Sequence, residues 1–183
     1  MERSDKQLIE AFLSGDDAAF EELVKKYLKP VYNFLYQLTG DSSALDDLTQ
    51  VAFIKAWKNI KRFDRERNFK TWIFTIAKNT AYDYLKKKKT TPFSFFEDSS
   101  GANRLENIGE DKSLPDEILI KVQSAEELDE KLKKIPDQYR IILVMRYKDD
   151  LSLQEIAEIL VLPYNTVKSQ HQRALARLKK ELT

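Results

Sequence analysis

Apolar residues recur every three to four positions along most of the chain, and the breaks in that rhythm divide it into helices. Ser4-Asp5-Lys6-Gln7 has the form of a capping box, and Leu8, Ile9, Phe12 and Leu13 follow on one face. Gly15 suits the end of that first helix. From Asp17 the positions Phe20, Leu23, Val24, Tyr27, Val31, Phe34, Leu35 and Leu38 keep the spacing straight through Pro30. One long helix kinked at Pro30 is therefore expected, rather than two separate ones. Gly40-Asp41-Ser42 ends it and caps the next, whose buried side is Leu45, Leu48, Ala52 and Ile60. A charged loop, KRFDRERN, precedes a fourth helix over residues 69–88 with Phe69, Trp72, Ile73, Ile76, Ala77 and Thr80 inward.

The rhythm then stops. Residues 90–117 hold two Pro, two Gly and several Ser and Asn, a linker composition, although Phe93, Phe95 and Phe96 are unusual in a purely disordered segment. Helical spacing returns over residues 117–135, is interrupted at Pro136, and resumes over residues 137–147. Ser152 to Glu155 is a second capping box, and Leu153, Ile156, Ala157, Leu160 and Leu162 fall inward. Pro163 cannot continue that helix but suits the first position of another, which buries Val167, Ala174 and Leu178. The expected fold is all-α: two small helical domains, residues 1–89 and 118–183, joined by a flexible linker over residues 90–117.

Composition supports that reading. The 183 residues include only 4 Gly and 5 Pro, so few positions need special backbone angles. No apolar run reaches the length of about 18 residues that a membrane span needs. The N-terminus lacks the apolar core of a secretory signal, and there is no Cys, so a reducing cytoplasm is the expected location. Disulfides and Cys-ligated zinc are excluded. The net charge of +1 hides a pattern. Residues 1–89 carry 17 Lys/Arg against 13 Asp/Glu, residues 90–130 carry 3 against 11, and residues 131–183 carry 11 against 6. Two mildly basic blocks flank an acidic connector, a pattern that ordinary surface charge can also produce.

Ala157, Val161 and Val167 have helix-turn-helix spacing, which a plain helical hairpin can share. Val161 stands where a turn glycine is usual, so the turn is either strained or differently shaped. The second helix offers Tyr164, Asn165, Thr166, Lys168, Ser169, Gln172 and Arg173 on its outer side. Amides and hydroxyls can read base edges, and Lys and Arg can neutralise phosphates, so this helix suits a DNA major groove. His171, the sole His, is expected as a partly exposed side chain on that helix. In the N-terminal half, RNFKTWIFTIAKNTAYDYLKKKK interleaves aromatics with cations. That suits single-stranded DNA, although the rings also suit a core and the Lys run a solvated helix end. Enzymatic chemistry has little to work with. There is no Cys nucleophile, one His, and the adjacent Asp46 and Asp47 point about 100° apart on a helix. No catalytic residue, metal, cofactor or small-molecule substrate is expected.

Taken together, DDLTQVAFIKAWKNI, RFDRERNFKTWIFTIAKNTAYDYLKKK, IPDQYRIILVMRYKDDLSLQEIAEIL and PYNTVKSQHQRAL, in this order, resemble the extracytoplasmic-function (ECF) type of bacterial RNA polymerase sigma factor. The resemblance covers nearly the whole chain outside the linker. It implies a protein that binds core RNA polymerase, directs it to promoters and helps open DNA. Asp46, Asp47, Gln50, Phe53, Lys55 and Trp57 match the segment that binds the polymerase β′ subunit, although Phe53 and Trp57 also suit the domain core. Arg65, Arg67, Asn68, Lys78, Asn79, Tyr82 and Asp83 match the loop and exposed helix face that recognise and melt the minus-ten element as single strands. The helix after Pro163 matches the reader of the duplex minus-thirty-five element. The acidic connector resembles one that enters the polymerase's nucleic-acid channels, next to the β and β′ subunits. An anti-sigma factor is a further implied partner. Val161, Gln170, His171 and Leu175 depart from the family's usual residues, which bears on the promoter sequence rather than the role. A helix-turn-helix regulator acting without polymerase is the alternative that the C-terminal half alone permits.

Overall fold

A computed structural model describes residues 3–88 and 125–182 of the chain. The chain divides into two compact units, Met1–Thr90 and Thr91–Thr183. All regular structure among the described residues is helical. The connector expected over residues 90–117 lies outside the described residues, as does the start of the helix expected from residue 117.

The N-terminal unit contains α1 (Asp5–Leu13), α2 (Asp17–Thr39), α3 (Leu45–Asn59) and α4 (Phe69–Lys87). The capping box at Ser4 forms as expected: Ser4 Oγ accepts from the Gln7 N–H at 3.3 Å, and the Ser4 N–H donates to Gln7 Oε1 at 2.8 Å. Gly15 ends α1 at φ 106°, a backbone angle that favours glycine. α2 runs as one helix through Pro30. Buried Tyr27 and Val31 on either side anchor it, and that packing offsets the roughly 3 kcal/mol that an interior proline costs. Gly40 closes α2 in the left-handed region at φ 63°. Leu23, Phe34 and Leu35 of α2 meet α3 and α4 in a core that also holds Leu45, Ala52, Ile73 and Phe74. Phe34 and Phe74 stack with centroids 5.0 Å apart. On α4 the buried stripe is Phe69, Ile73, Phe74, Ala77, Thr80, Ala81 and Leu85. Trp72 and Ile76, expected inward, are only half-buried. Phe74 and Ala81 complete the buried side instead.

Asp41 ties the α2–α3 corner to the end of α4. Its carboxylate pairs with Lys88, accepts from the Ser43 N–H (3.0 Å) and Oγ (2.6 Å), and accepts from the Tyr84 hydroxyl at 2.6 Å. Lys88 first, then Ser43 and Tyr84, hold this carboxyl well below the usual carboxylate range.

The C-terminal unit contains α5 (Ala125–Lys133), α6 (Asp137–Leu143), a π-helical turn (Val144–Lys148), α7 (Leu153–Leu160) and α8 (Tyr164–Glu181). The helix expected over residues 137–147 therefore changes type midway. The Asp149 N–H reaches back to the Val144 carbonyl at 3.1 Å, a π-type span. Residues 141–146 are all buried, so the segment is surrounded rather than amphipathic. Ile135, Tyr139 and Leu143 pack against Ala174, Leu175 and Leu178 of α8.

The Ser152 capping box starts α7, and Val161 ends it in the left-handed conformation, φ 59° and ψ 46°. The Leu162 N–H donates to the Ala157 carbonyl (3.0 Å) and the Val161 N–H to that of Glu158 (3.3 Å), a Schellman closure. The turn is thus of the ordinary helix-ending shape, with a β-branched residue forced into it. Pro163 precedes α8, one residue before its first turn.

Two outcomes follow from these corners. Val161 is 72% exposed, so the side chain gains little from packing in its strained position. Val161→Gly should stabilise the C-terminal unit by about 1 kcal/mol in denaturant unfolding; an unchanged or lower midpoint would refute strain at this site. A carboxyl whose folded pKa is depressed supplies stability that is present above its unfolded value of 3.8 and lost as pH falls below it. The N-terminal unit should therefore weaken in that acid window, and Asp41→Asn should weaken less over the same descent when melting is followed against pH.

Candidate nucleic-acid interface

Three surfaces carry the residues singled out from the sequence. The first is the charged loop and the outer face of α4. Phe63 is buried at the loop's start, its ring tilted against Trp72 at 4.9 Å and edge-to-face with Phe69 at 5.7 Å. This aromatic anchor fixes the loop base. Asp64 then folds the tip: its carboxylate accepts from the Glu66 N–H at 3.1 Å, and its carbonyl from the Arg67 N–H at 3.0 Å. Arg65 and Arg67 stand exposed, with Arg67 Nε 3.6 Å from Asp64 Oδ2. Asn68 is exposed and caps α4, its Oδ1 accepting from the Lys70 N–H at 2.8 Å.

Along α4, Asn79 and Asp83 are exposed and share a face with Lys86 at helical spacing. Tyr82 is half-buried beside them, and burial pushes its hydroxyl up to about 12, so it stays a neutral donor. Lys78 does not lie on that outer face. It is 4% exposed, its Nζ sits 5.5 Å from the centre of the Tyr82 ring, and burial lowers its pKa. Its position follows from spacing: Lys78 is four residues after Phe74 and three before Ala81, both on the buried stripe.

The second surface is a groove between α2 and α3. It has a volume of about 720 Å³ and is lined by Leu28, Tyr32, Gln50, Phe53, Ile54 and Trp57 among others, with Asp46 at one end. Trp57 is 53% exposed while Phe53 is 8% exposed, so the former presents its ring and the latter forms part of the floor. Thr49 Oγ1 is also buried in this wall with no hydrogen-bond partner. Asp47 is exposed outside the groove lining. Lys55 turns the other way: its Nζ lies 3.2 Å from Asp83 Oδ2 and 3.2 Å from Thr80 Oγ1 on α4. The structure thus joins Lys55 to the α4 face rather than to Gln50 and Trp57. The contribution of α2 to the groove, and exposed Ile54 and Leu28, were missed from sequence. The available signal was that Val51, Ile54 and Trp57 are large apolar residues off the buried stripe of α3.

The third surface is the start of α8. Asn165 is exposed, and Tyr164, Thr166, Lys168, Ser169, Gln172 and Arg173 are partly exposed, so none is sealed inside the unit. Ser169 Oγ donates to the Thr166 carbonyl at 2.9 Å, which leaves the hydroxyl oxygen free to accept a further hydrogen bond. His171 departs from expectation. It is 7% exposed, its Nε2 lies 2.9 Å from the Tyr147 hydroxyl, and burial, with a smaller push from Arg146, drives its pKa down to about 4. It therefore sits neutral at physiological pH. Four residues after Val167 and three before Ala174, it belongs to the inward side of α8. Gln170 is buried as well.

The arrangement offers hydrogen-bonding and cationic groups on two helices and an unpartnered apolar groove on a third face. Among the described residues no group of His, Cys, Asp and Glu could hold a metal ion, and no helix is long and apolar enough to cross a membrane.

Comparison with known proteins gives these surfaces a context. The family described as Sigma-70 region 2 matches residues 23–91, and Sigma-70, region 4 matches residues 125–178. The chain is 35% identical to the ECF RNA polymerase sigma factor SigW of Bacillus subtilis, over 100% of its own length and 98% of that protein's. It is 32% identical to the ECF RNA polymerase sigma-E factor of Escherichia coli, over 93% and 90% of the two chains. A solved structure of the sigma factor RpoE in complex with the anti-sigma factor NepR, from Bartonella quintana, superposes with a TM-score of 0.62 at 21% identity, covering 89% of this chain and 96% of that one.

Burial separates two neighbours in the groove. Trp57→Ala should leave the melting temperature nearly unchanged, because the ring stands half in solvent. Phe53→Ala should cost about 3 kcal/mol of stability. Thermal melts of the two variants check both; a Trp57→Ala variant that loses as much stability as Phe53→Ala would contradict the difference in burial.

Proposed function

The chain belongs to the ECF sigma factors of bacterial RNA polymerase, and on that premise we propose how its residues divide the work of promoter binding and opening. The groove between α2 and α3 receives the polymerase β′ subunit, with Trp57, Ile54 and Leu28 as the apolar centre and Asp46, Asp47 and Gln50 as the polar rim. Arg65, Arg67 and Asn68 at the loop, with Asn79, Tyr82 and Asp83 on α4, meet the minus-ten strand after it leaves the duplex. Arg65 and Arg67 contact phosphates, and the half-buried Tyr82 ring offers a face on which a base can stack. Lys78 supports that ring from beneath rather than touching DNA. Lys55 neutralises Asp83 at the same surface, so that a carboxylate there does not repel the strand.

Tyr164, Asn165, Thr166, Lys168, Ser169, Gln172 and Arg173 read the duplex minus-thirty-five element from the major groove. Strand opening is driven by binding free energy, with unstacked bases captured on protein, and needs no nucleotide hydrolysis by this chain. The chain carries no catalytic residue of its own and works in the cytoplasm, where the polymerase is. The related RpoE was solved with an anti-sigma factor. An inhibitor of that kind suits the same apolar groove, since covering Trp57 blocks polymerase. The observation that carries this reading is the coexistence of the apolar α2–α3 groove with a separate helix-turn-helix whose outer residues stay accessible. A regulator acting without polymerase would leave that groove without a purpose.

Mapping transcript starts with core polymerase and this chain on fragments of its own genome tests the assignment. Starts should appear only when the chain is added; their absence from every fragment would overturn it. Arg173→Ala should weaken promoter binding and reduce the slope of log affinity against log salt by about 1 if the guanidinium meets phosphate. An unchanged affinity and slope would remove Arg173 from the interface.

A further inference from the structure

Apolar packing restrains the rotation of α8 about its own axis less sharply than a hydrogen bond does. Val167, Ala174 and Leu178 are buried contacts, and such contacts are non-directional. With an outer radius of about 5–6 Å, a 10° roll moves a side-chain tip by about 1 Å. That displacement exceeds the roughly 0.5 Å tolerance of a well-set polar contact. Reading bases from this helix is therefore sharpened by a directional restraint close to the reading residues.

Besides the contacts near the far end of α8, where Lys131 Nζ donates to the Glu181 carbonyl at 2.6 Å and Arg177 lies over the Tyr139 ring, a hydrogen bond of this kind stands beside the reading residues. His171 lies inside the unit with its Nε2 2.9 Å from the Tyr147 hydroxyl, and the two rings are 5.6 Å apart. Tyr147 belongs to the π-helical turn, an element separate from α8. That turn is itself fixed from within: buried Arg146 donates from Nη1 to the Leu151 carbonyl at 3.0 Å, and the Leu151 N–H donates to the Met145 carbonyl at 3.0 Å. In sequence His171 immediately precedes Gln172 and Arg173, which are partly exposed. We propose that the Tyr147–His171 hydrogen bond is a positioning latch that sets the roll of α8 and thereby the register in which its outer face reads the upstream promoter element. The inference rests on the reading of α8 as the duplex-reading helix. His171 and Tyr147 touch no DNA; they act through the residues beside them.

The test uses the full chain assembled with core RNA polymerase and a duplex library randomised across the upstream element. Sequencing of bound DNA gives the wild-type preference, and a change in that preference in Asn165→Ala, which removes an exposed amide able to read a base edge, establishes separately that α8 reads the element. If the wild-type complex shows no preference there, the reading of α8 fails, and the latch with it. Given a preference, Tyr147→Phe keeps the ring and removes the hydroxyl, whichever partner donates. It should lower discrimination between the best duplex and its single-base variants by about tenfold, with affinity for core polymerase unchanged. His171→Gln, whose amide can still bond the hydroxyl, should retain more discrimination than His171→Leu. The paired change Tyr147→Phe with His171→Leu replaces both polar partners by apolar ones and should recover melting temperature. Discrimination should stay low in that pair. Full discrimination in Tyr147→Phe, or recovery of discrimination together with melting temperature in the pair, would overturn the latch and leave the bond a matter of stability alone.

Discussion

The left-handed residue at Val161 is the constraint on which the C-terminal unit depends. It stops α7, lets the Leu162 and Val161 N–H groups close on the helix end, and hands the chain to Pro163. Pro163 then stands at the N-cap, just ahead of the first turn of α8. A valine in this conformation carries a penalty of about 1–2 kcal/mol, so the turn persists because packing on both sides requires it. Ile156, Ala157, Ile159 and Leu160 on one helix and Val167, Ala174 and Leu178 on the other are all buried. The reversal places the inner stripe of α8 against its neighbours and leaves residues 164–166, 168, 169, 172 and 173 able to meet a ligand.

The N-terminal unit reaches a similar division of surface by other means. α2 contacts α1, α3 and α4, so its inner side is consumed by the core. Leu28 remains outward and pairs in the groove with Ile54 and Trp57 of α3. Such an apolar surface is available for contact with another protein. On α4 the balance is different: exposed polar and basic groups stand over a buried aromatic and aliphatic stripe. Lys78 and Tyr82 lie between the two, one nearly enclosed and the other half out. The apolar groove and the polar face of α4 thus fall on different sides of one core, linked by the Lys55–Asp83 ion pair at 3.2 Å.

Much of this was legible because it is local. The Ser4 and Ser152 capping boxes, the glycine closures at Gly15 and Gly40, the continuity of α2 through Pro30 and the left-handed problem at Val161 depend on residues a few positions apart. What was not legible falls into two kinds. Polarity suggests an outward His171 and the family resemblance an outward Lys78, whereas their spacing from Val167 and Phe74 places both inward. α8 buries a wider stripe than Val167, Ala174 and Leu178, because α6 and α7 both contact it. The other kind is long-range. Lys55 with Asp83, Asp41 with Lys88 and Tyr147 with His171 are separated by 28, 47 and 24 residues, and no local spacing announces such pairs. The groove wall supplied by α2 belongs to this kind too, since only tertiary contact brings it beside Trp57.

The central claim is that the outer side of α8 enters the major groove of intact duplex upstream of the opened segment. Dimethyl sulfate reactivity of a promoter bound by this chain with core polymerase tests it most directly, because guanine N7 lies in the major groove and adenine N3 in the minor. The expected result is protection of N7 atoms in the upstream element, with adenine N3 atoms there still reactive. Accurate initiation with every upstream N7 as reactive as in free DNA would contradict it.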